Sequence, residues 1–325
     1  MKKTIAVLVA FLAIFICGCS QTKEADNNSQ NKVNKTKRVV FSQTEEMNPW
    51  LAEELNSFEA AAAAKKMELI YHEPKENTSE WQVKDLLSLL DDNIDYMVIS
   101  PRRVDQLFPV LEKAKQKKIP VILVEGPTSG TTGEDSSATV ISTDYVKEGE
   151  ICAQLLEKRF GDKPCKIVEI QGSVGSIVAR DRDVGFRQEI KKHPNMQICA
   201  SEVGDFNRIT AEKAMENIII NSHNSFNAVF AHSDEDGLGA LQALKGAGMD
   251  PGKNISIVSV NGVQDVLKAI LAGEYLATVE NNPKLGYVVF EVIDQMERGT
   301  VPPSQIVMPY RIIDYSNAME CMETS

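Results

Sequence analysis

The sequence predicts an α/β fold in which two doubly wound parallel sheets follow one another along the chain. From residue 38 onward, short apolar runs rich in Val and Ile alternate with longer stretches of helical period, which is the pattern of parallel strands joined by crossover helices. The same alternation then runs a second time. The chain beyond residue 37 is long for a single hydrophobic core and comfortable for two lobes.

The first half carries short strands and longer helices in alternation. Its predicted strands are apolar runs with β-branched or aromatic residues, at 39–42, 68–71, 96–100, 120–124 and 139–141. Its predicted helices have an apolar period near 3.6 residues, at 49–66, 79–91 and 104–118.

The second half repeats this order. Its predicted strands are 166–170, 197–201, 228–231, 256–260 and 276–279. Its predicted helices are 145–159, 179–192, 211–221, 235–246, 263–272 and 283–298. The repetition indicates two lobes of similar construction.

The residues that follow the strands are the candidates for a site, because ligands of such sheets bind beyond the carboxyl ends of the strands. These residues are mostly polar, and Trp50 and Phe206 are the aromatic exceptions. Amide, carboxylate and guanidinium groups beside aromatic rings suit a sugar, whose hydroxyls form charge-assisted hydrogen bonds while its C–H faces stack on the rings. Three or four such bonds of about 1.5 to 3 kcal/mol each would sustain micromolar affinity.

The same loops do not carry the motifs of common enzymes. The turn over residues 42–50 contains no glycine, whereas a dinucleotide-binding sheet needs glycines after its first strand to approach a pyrophosphate. No Gly-x-Ser-x-Gly elbow is present, and the four histidines are dispersed. Residues 172–176 are predicted to form a tight strand-to-helix turn rather than an anion site. We therefore expect neither catalysis nor a cofactor.

Metal ions and nucleic acid are not expected partners either. Cys152, Cys165, Cys199 and Cys321 have no CxxC spacing, so we expect free, buried thiols rather than a metal site. Residues 91–95 are similar to the start of a calcium loop but lack its glycine and its later bidentate acid. The chain has 35 basic and 46 acidic residues, and so acidic a balance disfavours nucleic acid and anionic lipid.

The N-terminus has the pattern of an export signal. Lys2 and Lys3 precede an apolar stretch over residues 4–16, which is shorter than the roughly 20 residues of a membrane span. The run that ends at Cys19 resembles a bacterial lipoprotein signal, although Cys17 stands where that family has Ala or Ser. The resemblance implies removal of residues 1–18, a lipid on the Cys19 thiol and attachment to the extracytoplasmic face of the cell membrane. An ordinary signal peptide with a chance cysteine is the alternative.

The segment that follows Cys19 is predicted to be a flexible tether. Residues 20–37 contain no aromatic residue and few apolar ones, so they cannot bury enough surface to offset the entropy of ordering. Its root-mean-square reach is about 25 Å.

The body resembles sugar-binding proteins of ABC transporters, of the ribose and especially the galactofuranose type. The most specific stretches are 167–186 (IVEIQGSVGSIVARDRDVGF), 204–208 (GDFNR) and 230–247, and the resemblance covers nearly all of residues 38–310. It implies the type I periplasmic binding protein fold, in which two Rossmann-like lobes joined by a three-segment hinge close on one sugar. The implied lobes are residues 38–142 with 282–307 and residues 143–281 with 308–325.

Carried across position by position, the resemblance implies a set of ligand contacts in both lobes and the hinge. They are Ser42, Asn48, Trp50, Glu125, Arg180, Phe206, Ser233, Asn261 and Asn281. Trp50 and Phe206 would stack on the sugar, although Trp50 is alternatively a core residue. Arg180 and Arg182 alternatively form salt bridges within their lobe.

Three of these positions depart from the family. Its Asp-Arg after the fourth strand is Glu125-Gly126 here, its Asn is Ser233, and its Asp is Asn261. The identity of the sugar therefore stays open among pentoses, hexoses, sugar alcohols and furanosyl signal molecules.

The sequence as a whole predicts a monomeric, lipid-anchored binding protein without a metal site. It would capture a monosaccharide or related polyol and hand it to an ABC permease. Delivery of the ligand-closed state to a sensor kinase or chemoreceptor is the alternative, and an enzyme built on the same architecture is a third possibility.

Overall fold

The computed structural model describes residues 35–43, 47–72, 75–76, 78–126, 138–222 and 225–324. The predicted signal, Cys19 and most of the tether lie outside these residues. Within them, no helix combines the length and the apolar character needed to cross a bilayer.

Twelve strands form two six-stranded sheets in the described ranges. The strands are β1 (Arg38–Ser42), β2 (Glu68–His72), β3 (Tyr96–Ile99), β4 (Val121–Val124), β5 (Ala138–Ser142), β6 (Cys165–Gln171), β7 (Met196–Val203), β8 (Ala228–Ala231), β9 (Ser256–Asn261), β10 (Ala277–Glu280), β11 (Gln305–Val307) and β12 (Ile312–Asp314). The first sheet has the order β11-β5-β4-β3-β1-β2 and the second the order β12-β10-β9-β8-β6-β7. All neighbours are parallel except β10 and β12. The two parallel sheets predicted from the sequence are confirmed.

The helices are α1 (Pro49–Lys65), α2 (Ser79–Leu89), α3 (Phe108–Lys117), α4 (Tyr145–Phe160), α5 (Ile177–Ile190), α6 (Arg208–Ser222), α7 (Asp234–Gly246), α8 (Gln264–Leu271), α9 (Leu285–Glu297) and α10 (Ala318–Thr324). The prediction of one helix over 104–118 was wrong, because a 3₁₀ turn at Val104–Gln106 precedes α3. Starting α3 at Phe108 places Pro109 in the first turn, where its missing N–H costs nothing.

Each sheet is covered on both faces, which explains why its strands are apolar throughout. In the first sheet, Val39 and Phe41 of β1 pack with α1 and α9, while Val40 between them packs with α2 and α3. In the second sheet, Ile167 packs with α4 and α5, while Val168 packs with α6, α7 and α8.

The chain passes between the sheets three times. It leaves the first sheet after β5, returns after β10 through α9 to β11, and passes back from β11 to β12. The sequence did not predict β11, β12 or α10. These elements are short, and β11 and β12 together contain a single buried residue, Ile313, so they lack the apolar runs that identify the other strands.

All four described cysteines are free thiols. Cys152, Cys165 and Cys321 are buried as expected, but Cys199 is exposed. Cys199 lies on β7, an edge strand, at a register shift in its pairing with β6, and an edge strand covers its side chains less completely than a central one.

Candidate functional site

The carboxyl ends of the two sheets line a common cleft. Its cavity of about 60 Å³ has room for about four to six water molecules, which suits one small hydroxylated molecule. It is lined by Asn48, Trp50, Leu51, Ser100, Pro101, Glu125, Ser176, Val178, Arg182, Phe206, Ser233, Glu235, Asn261 and Asn281. Seven of the nine ligand contacts expected from the sequence are in this set.

Trp50 belongs both to the core of the first lobe and to the wall of the cleft. Its side chain is buried, and its Nε1 donates a hydrogen bond of 2.6 Å to the backbone oxygen of Asn281. The side-chain oxygen of Asn281 accepts from Thr143 Oγ1 at 3.1 Å, and its backbone N–H donates to Asn261 O at 3.1 Å. Asn281 thereby joins two of the crossing segments to both lobes.

Asn261 ends β9 in a strained conformation with a φ of 141°. Its side-chain Oδ1 is buried and has no hydrogen-bond partner among the described residues. An unsatisfied buried polar atom costs about 1–3 kcal/mol. A ligand hydroxyl that donates to this oxygen would recover that free energy.

Asp234 fixes the loop that carries Asn261. Its Oδ2 accepts hydrogen bonds of 2.7 Å from the backbone N–H groups of Gly262 and Val263. Its Oδ1 accepts from Thr278 Oγ1 at 2.7 Å and from the Ser259 hydroxyl. Four donors on one buried carboxylate hold the end of β9 in place.

Backbone strain in the described part of the chain collects at the cleft. The non-glycine residues with positive φ are Lys66, Lys118, Glu125, Asp205, Phe206 and Asn261. The two lysines are helix C-caps, whereas the other four lie at the ends of β4, β7 and β9. Such conformations cost of order 1–3 kcal/mol each and are typical of functional sites.

Phe206 lies directly against the turn that follows β6. A Cβ atom on Gly172 would be 2.1 Å from both Cε1 and Cζ of the Phe206 ring, so only glycine admits the ring at this point. The partly buried ring of Phe206 lines the cleft as an aromatic surface for a ligand.

Arg182 provides a rigid guanidinium in the wall formed by the second lobe. Its side chain is 3% exposed, its Nε donates to Glu148 Oε2 at 2.8 Å, and its Nη1 donates to the backbone oxygen of His232 at 2.7 Å. The Tyr145 ring lies 5.7 Å from its Cζ. Burial raises the pKa of Glu148 to about 7 against the opposing effect of Arg182.

The pairing of Arg182 with Glu148 depends on a close contact between α4 and α5. A Cβ atom on Gly149 would lie 1.9 Å from Arg182 O, and one on Gly185 would lie 1.8 Å from Val146 O. The two glycines therefore let the helix backbones touch, which brings the guanidinium to the carboxylate.

Arg180, a predicted ligand contact, does not line the cleft. Its side chain is 60% exposed, and its Nη2 pairs with Asp181 at 2.8 Å. Val178 and Arg182, one helical turn apart on α5, are the residues of this helix that line the cleft together with the preceding Ser176. Arg180 lies between them in sequence and so points away. Arg182 is therefore the arginine of α5 that lines the cleft, and a ligand contact of Arg180 stays a prediction.

Among the described residues, the wall formed by the first lobe contains one carboxylate, that of Glu125. Ser100 Oγ donates to Glu125 Oε2 at 2.8 Å, and both residues line the cleft.

Ser42, the other predicted contact outside the lining, is fully buried, and its backbone oxygen accepts from Ser100 N at 2.9 Å. Burial, reinforced by the charge of Glu125, raises the pKa of the buried Glu54 well above its usual range, although the Gln43 amide donates to that carboxyl.

Asn48 and Ser233 are helix caps as well as lining residues. Asn48 Oδ1 accepts from Leu51 N at 2.9 Å at the start of α1. Ser233 Oγ accepts from Asp236 N at 3.1 Å and donates to Asp236 Oδ2 at 2.8 Å. The Asn48 amide still has its N–H donors for a ligand, whereas the Ser233 hydroxyl can only accept.

One cluster in the described ranges has the geometry of a metal site. Glu169, Asp183 and His232 offer ligand atoms within 4.8 Å of one another. Arg187 already pairs with both carboxylates, and the Ser201 hydroxyl donates to Glu169 at 2.6 Å. The guanidinium compensates the acidic charge, so we assign no metal to this cluster.

Comparison with known proteins defines the family. The profile of the periplasmic binding protein domain matches residues 39–300. The chain belongs to this family. Among curated members, the galactofuranose-binding protein YtfQ of Escherichia coli (strain K12) is 35% identical over 267 residues, which cover 81% of this chain and 83% of that protein. The ribose import binding protein RbsB of Bacillus subtilis (strain 168) is 26% identical over 314 residues, covering 96% and 99%.

A solved structure of a periplasmic binding protein family member shows the same architecture. The binding protein of the arabinose ABC transporter from Shewanella sp. ANA-3, bound to α- and β-L-arabinofuranose, superposes with a TM-score of 0.83 at 34% identity, covering 89% of this chain and 95% of that one. The resemblance inferred from the sequence is thereby confirmed at the level of family and fold.

Seven residues that line the cleft of this chain were not among the ligand contacts predicted from its sequence. They are Leu51, Ser100, Pro101, Ser176, Val178, Arg182 and Glu235. Pro101, Ser176 and Glu235 lie among the residues that follow predicted strands, and Ser100 ends a predicted strand, so the strand-end rule finds the loops. Leu51, Val178 and Arg182 lie in or next to the predicted helices that follow. The rule does not find which side chains in a loop face the cleft.

Proposed function

We propose that the protein captures a monosaccharide in its furanose form and delivers it to an ABC importer. The galactofuranose-binding and arabinofuranose-bound relatives, both at least 34% identical to this chain, support a five-membered ring. The small cavity between the lobes supports a ligand of one ring.

The observation that carries the proposal is the side chain of Asn261. Its Oδ1 is buried without a hydrogen-bond partner among the described residues. Several residues at the strand ends around the cleft, Asn261 among them, have a positive φ. A neutral hydroxyl is a natural donor to an amide oxygen. The free energy held in this arrangement is recovered when a hydroxylated ligand binds.

The cleft supplies complementary roles for one ring. Arg182 and the Asn48 amide would donate to ligand oxygens, while Glu125 and Asn261 would accept from ligand hydroxyls. Phe206 would stack on a C–H face of the sugar. Because these residues come from both lobes, a bound sugar would favour the closed arrangement of the lobes.

The cellular setting is part of the same proposal. Cleavage after residue 18, a lipid on Cys19 and a tether to residue 37 would hold the body at the extracytoplasmic face of the membrane as a monomer. The lobes would be divided as the resemblance implies, at residues 142, 281 and 307. The apolar stretch 4–16 and the polar composition of 20–37 support this arrangement.

Two measurements test the proposal. Mass spectrometry of small molecules released from the purified protein identifies a carried sugar. Thermal shift and isothermal titration with L-arabinose, D-galactose, D-ribose, D-fructose and xylitol then give affinities, since ligand binding raises the melting temperature. Failure of every sugar and polyol to bind would contradict the proposal.

Asn261→Ala gives the prediction specific to the site. We expect at least a tenfold loss of affinity for the sugar that binds. The melting temperature of the free protein should not fall, because the removed oxygen makes no hydrogen bond within the described protein and its burial without a partner is costly. The matched control is Asn254→Ala in the exposed loop before β9, which we expect to bind normally. Equal affinities for the two variants would remove Asn261 from the site.

A further inference from the structure

A second and larger space adjoins the cleft. It measures about 470 Å³, compared with about 60 Å³ for the cleft. Trp50, Glu235 and Asn261 line both spaces. The two spaces are therefore neighbours with these residues as a common wall, and the second one, which we call the side groove, lies next to a molecule held in the cleft.

Both lobes and the crossing between them build the side groove. Its remaining lining residues lie at the starts of α1, α6 and α8 and in the segments that join the lobes: Pro49, Ala52, Glu53, Arg208, Gly262, Val263, Gln264, Asp265, Glu280, Asn282, Pro283, Lys284 and Arg311. Its volume is in the range of pockets that hold drug-sized molecules, roughly 300–1,000 Å³, and exceeds what a single furanose ring fills.

The charges of the side groove are mostly paired with one another. Arg208 forms two hydrogen bonds to Glu235, at 2.8 and 3.0 Å, and also reaches Asp265. Arg311 forms two hydrogen bonds to Glu280, at 2.7 and 2.8 Å. These ion pairs offer oriented hydrogen-bond donors and acceptors, and because their charges compensate each other they create no large electrostatic potential of either sign.

This charge balance selects the class of occupant. A phosphate or another anion needs an excess of positive charge, and the three cations of the side groove (Arg208, Lys284 and Arg311) are outnumbered by its four carboxylates (Glu53, Glu235, Asp265 and Glu280). Neutral hydroxyls pair with carboxylates and guanidiniums alike. Apolar atoms of Ala52, Val263 and the two prolines provide surface for C–H groups.

We propose that the side groove is a second subsite, which receives the neutral, hydroxylated substituent of a glycoside whose first ring occupies the cleft. This inference rests on the proposed function, because it requires a sugar ring in the cleft. A furanosyl disaccharide or a similar glycoside then binds through both spaces and more tightly than the monosaccharide bound in the cleft alone, and Trp50, whose indole is fixed by Asn281, lies between the two rings.

The test compares each sugar with a disaccharide that carries it as the terminal ring. Isothermal titration of the wild type uses L-arabinose against α-1,5-L-arabinobiose and D-fructose against inulobiose. We expect one disaccharide to bind at least tenfold more tightly than its monosaccharide. Equal or weaker binding of both disaccharides, with a monosaccharide still bound, would overturn the second subsite and leave the proposed function standing. Binding of none of the four would overturn both.

Filling the side groove provides the second arm. Ala52→Trp and Lys284→Trp each place a large ring in the groove from a half-buried or exposed position, and we expect each to abolish the advantage of the disaccharide while changing the affinity for the monosaccharide less than twofold. Glu59→Trp, at an exposed position further along α1, is the matched control and should keep the advantage. A disaccharide advantage that survives in both groove variants would also overturn the subsite.

Discussion

Arg180 and Arg182 lie two residues apart in the run Ala179-Arg180-Asp181-Arg182-Asp183 and have opposite environments. Arg180 is mostly exposed and pairs with its neighbour Asp181, whereas Arg182 is buried and pairs with Glu148. The sequence identified this run as part of the site and named Arg180 as the ligand contact, whereas Arg182 is the arginine of this run that lines the cleft. The choice depends on the contact of α5 with α4, which is a long-range feature that the run itself does not contain.

The two arginines yield a matched pair of variants. Arg182→Lys keeps the positive charge next to Glu148 but loses the planar fork, since an ammonium cannot reproduce bidentate geometry. We expect at least a tenfold loss of sugar affinity by titration. Arg180→Lys, made on the same helix, should bind as the wild type does.

The reverse result, with Arg180→Lys impaired and Arg182→Lys normal, would restore the assignment made from the sequence. Removal of the Arg182 charge altogether is a poorer test, because an uncompensated buried Glu148 carboxylate costs about 3–5 kcal/mol of stability and confounds folding with binding.

At the scale of elements, the sequence predicted the strands and helices that are buried and periodic. The predicted β8 and the observed Ala228–Ala231 coincide, and apart from the helix over 104–118 the predicted ends lie within about three residues of those observed. Of the three elements that it missed, β11 and β12 are held in place by pairing with β5 and β10. These strands form because they pair with neighbouring strands in the sheet, and their own sequence carries no alternating or apolar pattern that would predict them.

Gly172 directly follows β6 and makes room for the Phe206 ring, which lines the cleft. Because an added Cβ would lie 2.1 Å from the Phe206 ring, we expect Gly172→Ala to displace the ring and lower sugar affinity at least tenfold. The free protein should also lose about 1–3 kcal/mol, the usual cost of overpacking. Titration and urea unfolding measure the two effects.

Gly246→Ala is the matched control for this variant. Gly246 ends α7 with open space around its Cα, so the substitution should leave binding unchanged and stability equal or slightly higher. Full sugar affinity in Gly172→Ala would show that the position of Phe206 is irrelevant to the ligand.

For the whole molecule, stability depends on carboxyl groups that the fold buries next to the cleft. Glu148 and Glu54 are fully buried, and burial raises the pKa of each. Glu54 lies on α1 with the lining residues Trp50 and Leu51, and Glu148 on α4 pairs with the lining residue Arg182. The sequence indicated an acidic protein but did not reveal these buried acids, because a glutamate on an amphipathic helix looks the same whether its face meets solvent or a neighbouring helix.

The raised pKa of Glu148 predicts how the free energy of unfolding changes with pH. Its pKa is about 7 in the folded protein and 4.5 for an ordinary glutamate in water. Its contribution to the free energy of unfolding is therefore fully present below pH 4.5 and is lost as the pH rises through 7. The loss amounts to about 3 kcal/mol, at 1.36 kcal/mol for each pKa unit. Glu148→Gln stays neutral at every pH, so its stability relative to the wild type should rise by this amount between pH 4 and pH 8.

Urea unfolding at several pH values measures the difference, and Glu150→Gln on the same helix controls for the loss of a less buried charge. A difference between Glu148→Gln and the wild type that stays constant across this range would show that Glu148 remains ionised in the folded protein, held so by Arg182.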